Sequence, residues 1–63
     1  MRKCPRCELE KLNDEDVMNS KSHTFPGVII CNDCGEDENL TLLGILNDEE
    51  SKIRQIKWEN KKL

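Results

Sequence analysis

Four cysteines carry the only chemistry that this chain announces. They stand as Cys4-Pro5-Arg6-Cys7 and Cys31-Asn32-Asp33-Cys34, two C-x2-C pairs separated by 23 residues. Cysteines three apart can curl into a tight knuckle whose sulfurs converge on one ion. Two knuckles supply four thiolates to the corners of a tetrahedron, the geometry Zn²⁺ takes in structural sites. Pro5 presets a turn after Cys4. Gly35 follows Cys34, where a positive φ would let backbone amides approach the sulfurs. The set Cys4, Cys7, Cys31 and Cys34 is therefore the candidate ligand set for one structural Zn²⁺. Two rivals share the spacing. A redox dithiol would need one pair at a helix start within a larger βαβ fold. A tetrahedral iron site would use the same sulfurs, but rubredoxin-type sites place Gly after both pairs, and here Glu8 follows Cys7.

The chain around them is small. Its 63 residues and 7.3 kDa exclude a doubly wound sheet, a barrel or a two-domain enzyme. Hydrophobic residues make up 35%, four of them the cysteines; there is one Phe (Phe25), one Trp (Trp58) and no Tyr. Such a core rarely supplies more than about 3–5 kcal/mol, so a staple is required. Zinc-coupled folding contributes about 10–16 kcal/mol in small peptides. A site closed by four sulfurs leaves no position for water or substrate, so no catalytic metal is expected, and no enzyme. His23 lies in a turn, with no nucleophile to serve.

Formal charge is −3 overall but unevenly spread: residues 1–12 carry +2, residues 13–50 carry −9 and residues 51–63 carry +4. An acidic body with basic ends is a poor general binder of nucleic acid. The N-terminus lacks an apolar signal region, and no run is long enough to span a membrane, which points to a cytoplasmic, reducing site.

The elements that must position the sulfurs follow from local signals. Asn13 and the acids after it suggest a short helix at about 14–20 burying Val17 and Met18. Pro26-Gly27 marks a turn, and Val28-Ile29-Ile30 reads as a buried strand running into Cys31. Glu36-Asp37-Glu38 precedes an apolar run (Leu40, Leu42, Leu43, Ile45, Leu46) and reads as a helix start, with Gly44 ending that helix. A final helix over about 49–61 follows. The expected fold is a small metal-stapled α+β domain at 1–46 with a basic amphipathic helix at 47–63.

The order Cys-Pro-x-Cys, polar helix, strand ending in Cys-x2-Cys-Gly and acidic helix resembles the zinc-ribbon and treble-clef superfamilies. Residues 28–35 are similar to the second knuckle of a treble clef, whose last pair opens a helix. Residues 4–44 look like small Cys4 proteins of phages and mobile elements, mostly of unassigned function. The resemblance implies the four cysteine ligands and nothing further.

The final helix offers the partner surface. Ile53, Ile56 and Leu63 form one apolar stripe, while Trp58 stands among Arg54, Lys57, Lys61 and Lys62 on another side. Either Trp58 folds back over the body, or it joins these cations in an aromatic-cation surface. Candidate partner-binding residues are Ile53, Arg54, Ile56, Lys57, Trp58 and Lys61. Three functions follow: an adaptor binding another protein through residues 40–63; a nucleic-acid regulator using Arg2, Lys3, Arg6, Arg54, Lys57, Trp58 and Lys61; and a redox switch releasing zinc on thiol oxidation. Pairing of two copies through the apolar stripe is a further expectation.

Overall fold

The computed structural model describes residues 1–62. Two short strands, β1 (Ser20–Lys21) and β2 (Ile29–Ile30), pair antiparallel with Ser20 opposite Ile30 and Lys21 opposite Ile29. Two helices follow, α1 (Asn32–Leu42) and α2 (Glu49–Glu59). The N-terminal knuckle is closed by an isolated antiparallel bridge between Arg2 and Leu12, with both backbone hydrogen bonds at 2.9 Å. The architecture is thus a small α+β domain with clustered cysteines.

Between the bridge and β1 the chain makes only one 3₁₀ turn, Asp16–Met18. The expected helix with buried Val17 and Met18 is not formed: these side chains are 88% and 58% exposed. The reason is competition from Asn13 and Asn19. The Asn19 side chain accepts from the Asn13 backbone N–H and donates to the Asn13 and Glu15 carbonyls. Asn side chains that satisfy backbone groups this way compete with helical bonds.

The Pro26-Gly27 turn is formed, with Val28 N–H donating to Phe25 O at 3.1 Å. The strand leaving it delivers fully buried Ile30 and then Cys31 to the core. α1 begins four residues before the position that its acidic run suggested. Cys31 is its N-cap, and the cysteine sulfur accepts from Cys34 N–H. The C-terminus of α1 falls as expected. Gly44 takes φ +79; its N–H reaches Thr41 O, and Ile45 N–H reaches back to Leu40 O. These two bonds satisfy the last carbonyls of the helix in a Schellman arrangement. Asp48 then caps α2, its carboxylate accepting from Ser51 N–H and Ser51 Oγ–H.

Gly35 has a different role from the one its sequence position suggested. It is helical rather than left-handed. It is required because β1 lies against α1: a Cβ at residue 35 would overlap Ser20 Cβ and Oγ. Gly35→Ala is expected to push β1 off the helix and destabilise the chain by about 1–3 kcal/mol, which thermal unfolding of the metal-loaded protein will measure.

The core contains Cys4, Leu12, Ile30, Cys31, Cys34 and Trp58, with Phe25, Val28 and Ile29 packed on it. The Phe25 and Trp58 rings meet edge to face at 4.9 Å and 83°, a favoured aromatic geometry. The division at residues 46/47 falls in the link between the helices. Even so, Ser51, Gln55 and Trp58 of the second segment are buried against the first.

Candidate metal centre

The two knuckles bring Cys4, Cys7, Cys31 and Cys34 together. All four Sγ atoms lie within 4.8 Å of one another, and the ligand residues are buried except Cys7, which is half-buried. Cys4 and Cys34 Sγ are 3.8 Å apart, and Cys7 and Cys31 Sγ are 3.9 Å apart. A tetrahedron with metal–sulfur bonds of ~2.3 Å has sulfur–sulfur edges of ~3.8 Å. A disulfide would need ~2.05 Å, and all four cysteines are free. The spacing therefore fits four thiolates around one ion, as the sequence spacing suggested.

The backbone prepares the sulfurs for charge. Cys31 N–H donates to Cys4 Sγ at 3.3 Å and Cys34 N–H donates to Cys31 Sγ at 3.5 Å. Burial opposes ionisation of Cys4, but the N–H groups of Cys31, Cys7 and Arg6 outweigh it and bring its thiol down to about 7. Burial pushes the Cys34 thiol up, and its hydrogen bonds to Cys31 and Cys7 push the same way, against Arg6. Cys31 is also raised, chiefly by burial. Burial is the largest obstacle to ionisation at both raised sulfurs, and the charge of Cys4 adds a smaller one. A divalent cation bound to the sulfurs would offset both and favour the thiolate form.

The first knuckle turns differently from the second. Cys4 O accepts from Glu8 N–H at 2.8 Å, and Glu8 itself takes φ 62. Glu8 thus occupies the left-handed position that a glycine fills more easily. Its carboxylate receives Lys61 Nζ at 2.7 Å, and the same Nζ donates to Pro5 O. That contact, with the Coulomb attraction of Lys61 behind it, holds the Glu8 carboxyl below its ordinary range. The end of the chain is thereby tied to the knuckle.

Arg6 is the second tie. Its side chain is only 4% exposed and pairs with Asp37 at 2.9 Å, while Nη2 donates to Gln55 Oε1 at 3.1 Å. Arg54 approaches the same Asp37 from α2 through Nη2 at 2.8 Å and Nε at 3.2 Å. Arg54, with Arg6 behind it, holds the Asp37 carboxyl below its usual range against partial burial. Arg6, Lys11, Arg54, Lys57 and Lys61 line a cleft beside Cys7, Cys31 and Cys34. Four thiolates and one divalent ion carry −2, so cations around the cluster offset its charge. The chain matches no protein-family model, no curated protein and no solved structure.

The partner-surface residues divide. Ile53 and Ile56 are 49% and 55% exposed, and Lys57 is exposed. Trp58 is not a surface residue: it is 2% exposed, and its Nε1–H donates to Glu38 Oε2 at 2.8 Å and to Ser22 Oγ at 3.2 Å. The aromatic-cation surface is therefore not formed, because the indole N–H finds its acceptors inside. Arg54 and Lys61, placed in that surface by the sequence, are engaged with Asp37 and with Glu8 and Pro5. Leu63, assigned to the apolar stripe, lies outside the described residues. For nucleic-acid contact the sequence also offered Arg2, Lys3 and Arg6. Arg2 pairs with Asp16 at 2.5 Å, and the Arg6 side chain is inside.

The residue that sequence reasoning missed is Glu38. It is fully buried and accepts four hydrogen bonds: from Ser22 Oγ–H (2.9 Å), His23 backbone N–H (2.6 Å), Thr24 Oγ1–H (2.9 Å) and Trp58 Nε1–H (2.8 Å). Burial opposes its ionisation, but the four donors together hold its carboxyl below the ordinary range. The available signal was position: residue 38 is one helical turn after Cys34, so a helix that points Cys34 at the other three sulfurs points Glu38 inward too. Among the described residues no helix is long and apolar enough to cross a membrane.

Proposed function

We propose that this chain is a non-enzymatic adaptor: a Cys4 structural-zinc domain of the zinc-ribbon or treble-clef kind that presents one helix to another protein. The reading of the metal as zinc rests on the closed four-thiolate donor set. Iron in the same site would give a coloured protein, so elemental analysis with a visible spectrum decides between them. The treble-clef reading is supported by the second knuckle, where Cys31 caps α1 and Cys34 lies in its first turn.

The observation that carries the adaptor reading is the orientation of α2. Ser51, Gln55 and Trp58 face the body, while Ile53 and Ile56 face away from it. A helix of a lone domain turns its apolar stripe inward. Here the stripe points out, and Leu42, Leu43 and Ile45 are also 51–65% exposed. Exposed apolar faces of this kind mark interaction sites. Protein is favoured over nucleic acid because Arg2, Arg6, Arg54 and Lys61 are each paired with a carboxylate of the same chain.

The test compares the intact chain with Ile53→Asp/Ile56→Asp in affinity capture from native cells at about 0.15 M salt. The double variant is expected to fold, retain its metal and lose its partner by at least about tenfold, because a charge in an apolar interface centre must be desolvated without a mate. Partner retention by a folded double variant overturns the reading. Capture that falls steeply with salt and is indifferent to the isoleucines favours phosphate contact instead.

A further inference from the structure

The outward face of α2 has a second layer of information in its charges. Glu49, Ile53, Ile56 and Asn60 follow one another at spacings of four, three and four, the d-a-d-a seam of a heptad. Glu50 and Lys57 flank the seam at e positions, and Lys52 and Glu59 flank it at g positions. All eight residues are exposed. Ser51, Arg54, Gln55 and Trp58 occupy the remaining positions: Arg54, Gln55 and Trp58 bond to the body, and Ser51 is buried.

We infer that this face closes against the same face of a second copy of the chain, with the two α2 helices antiparallel about a two-fold axis. The inference rests on reading the outward face of α2 as a protein-docking surface, and it names the occupant. The flanking charges select both partner and direction. In a parallel pair each g residue meets the e residue five positions later on the other helix. Lys52 would then face Lys57 of the second copy, a like-charge contact. In an antiparallel pair g meets g and e meets e. Lys52 then faces Glu59 of the second copy, and Glu50 faces Lys57 of the second copy. The two-fold axis repeats both attractions.

The seam agrees with the same register. Ile53 stacks on Ile56 of the second copy, and the symmetry operation supplies the reciprocal contact. At the ends Asn60, the C-cap residue of α2, lies against Glu49 of the second copy; one hydrogen of its amide donates to Ile56 O at 2.9 Å and the other reaches the carboxylate. The helix dipoles are also opposed, head to tail. A protein partner unrelated to this chain would have no reason to match a charge pattern that is complementary to itself under a two-fold rotation. An eleven-residue helix is only ~16 Å long, and its seam holds two isoleucines, so the association is concentration-dependent rather than obligate.

Analytical ultracentrifugation of the metal-loaded full chain tests the inference. The mass average is expected to rise from 7.3 kDa toward twice that value with concentration. Glu50→Lys alone and Lys57→Glu alone each turn two attractions into two repulsions. Each is expected to weaken the dimer about tenfold at low salt. The double variant Glu50→Lys/Lys57→Glu restores opposite charges and is expected to return the dimer to within about threefold of the original. Both positions are exposed, and circular dichroism with metal content checks that the variants fold. A chain that stays monomeric to about 1 mM overturns the inference. So does a double variant no better than either single one, since the pairing of residues 50 and 57 exists only in the antiparallel register. A monomeric chain that still loses a captured protein on Ile53→Asp/Ile56→Asp overturns the self-pairing and leaves the adaptor reading standing. A dimer with rescue, and no other protein lost by that variant, supports the self-pairing and removes the adaptor reading.

Discussion

Cys31→Ser is expected to abolish the fold. Serine keeps the capping role of residue 31, because a hydroxyl oxygen accepts from the residue-34 N–H at least as well as sulfur does. It removes the thiolate, so the loss isolates the metal's contribution. Among the described residues, only Leu12, Ile30 and Trp58 are buried apolar side chains other than cysteine. A core of that size gives about 3–5 kcal/mol at best, against about 10–16 kcal/mol from a structural zinc. Far-ultraviolet circular dichroism should lose most of its helical signal, and bound metal should fall from one ion per chain toward none. Chelation of the unaltered chain should give the same spectrum, and added Zn²⁺ should reverse it. A native-like spectrum of the metal-free serine variant, with the near-ultraviolet signal of Trp58 intact, would refute a metal-dependent fold.

Different physical constraints decide which parts of the molecule the sequence discloses. Ligand spacing is dictated by bond lengths, so two C-x2-C pairs announce four converging sulfurs, and the cluster is where the pairs placed it. Helix ends are dictated by unsatisfied backbone groups. Gly44 and Asp48 carry local signals for them, and both act as caps. The orientation of α2 is decided by different forces. The helical wheel identifies the stripe of Ile53 and Ile56, and apolar burial argues for turning it inward. In the structure the competing face wins through three specific contacts: Trp58 to Glu38, Gln55 Nε2 to Thr24 Oγ1 at 2.8 Å, and Arg54 to Asp37. Each partner lies 17 or more residues away. Hydropathy counts Ser51 and Gln55 as polar and therefore outside, and cannot see that distant residues hold their acceptors and donors. Glu38 was hidden for the same reason. In a run of Glu36-Asp37-Glu38 the acids look alike, yet Glu36 is exposed, Asp37 holds two arginines and Glu38 is the buried hub.

Glu38→Ala is the substitution with the next largest expected effect. Ser22 and Thr24 hydroxyls can rotate to other acceptors once the carboxylate is gone. The Trp58 indole N–H and the His23 backbone N–H are fixed by their frames and would lose their main acceptor. Each stranded buried donor costs about 1–3 kcal/mol, so the two together cost about 2–6 kcal/mol, comparable to everything the apolar core supplies. Glu38→Gln separates charge from shape. An amide fills the same volume but can accept through one oxygen only, so one of the two fixed N–H groups faces an NH₂ group instead. The variant should unfold at lower temperature with its metal still bound.

The pH dependence of the pair of proteins follows from the direction of the carboxyl's displacement. Glu38 is held below its ordinary range when folded. Its contribution is therefore fully present above the unfolded glutamate value of ~4.3 and is lost as pH falls through the lower folded value. Thiolate protonation also weakens the metal site in acid, but it does so equally in the wild type and in Glu38→Gln. The difference in unfolding free energy between the two should thus be constant near neutrality and shrink below about pH 4. A difference that instead falls as pH rises from about 4.3 toward neutrality would show that Glu38 is neutral in the native state. The four donors would then be holding a carboxylic acid, and the link from α1 through Trp58 to the exposed face of α2 would be one of ordinary hydrogen bonds rather than of a buried charge.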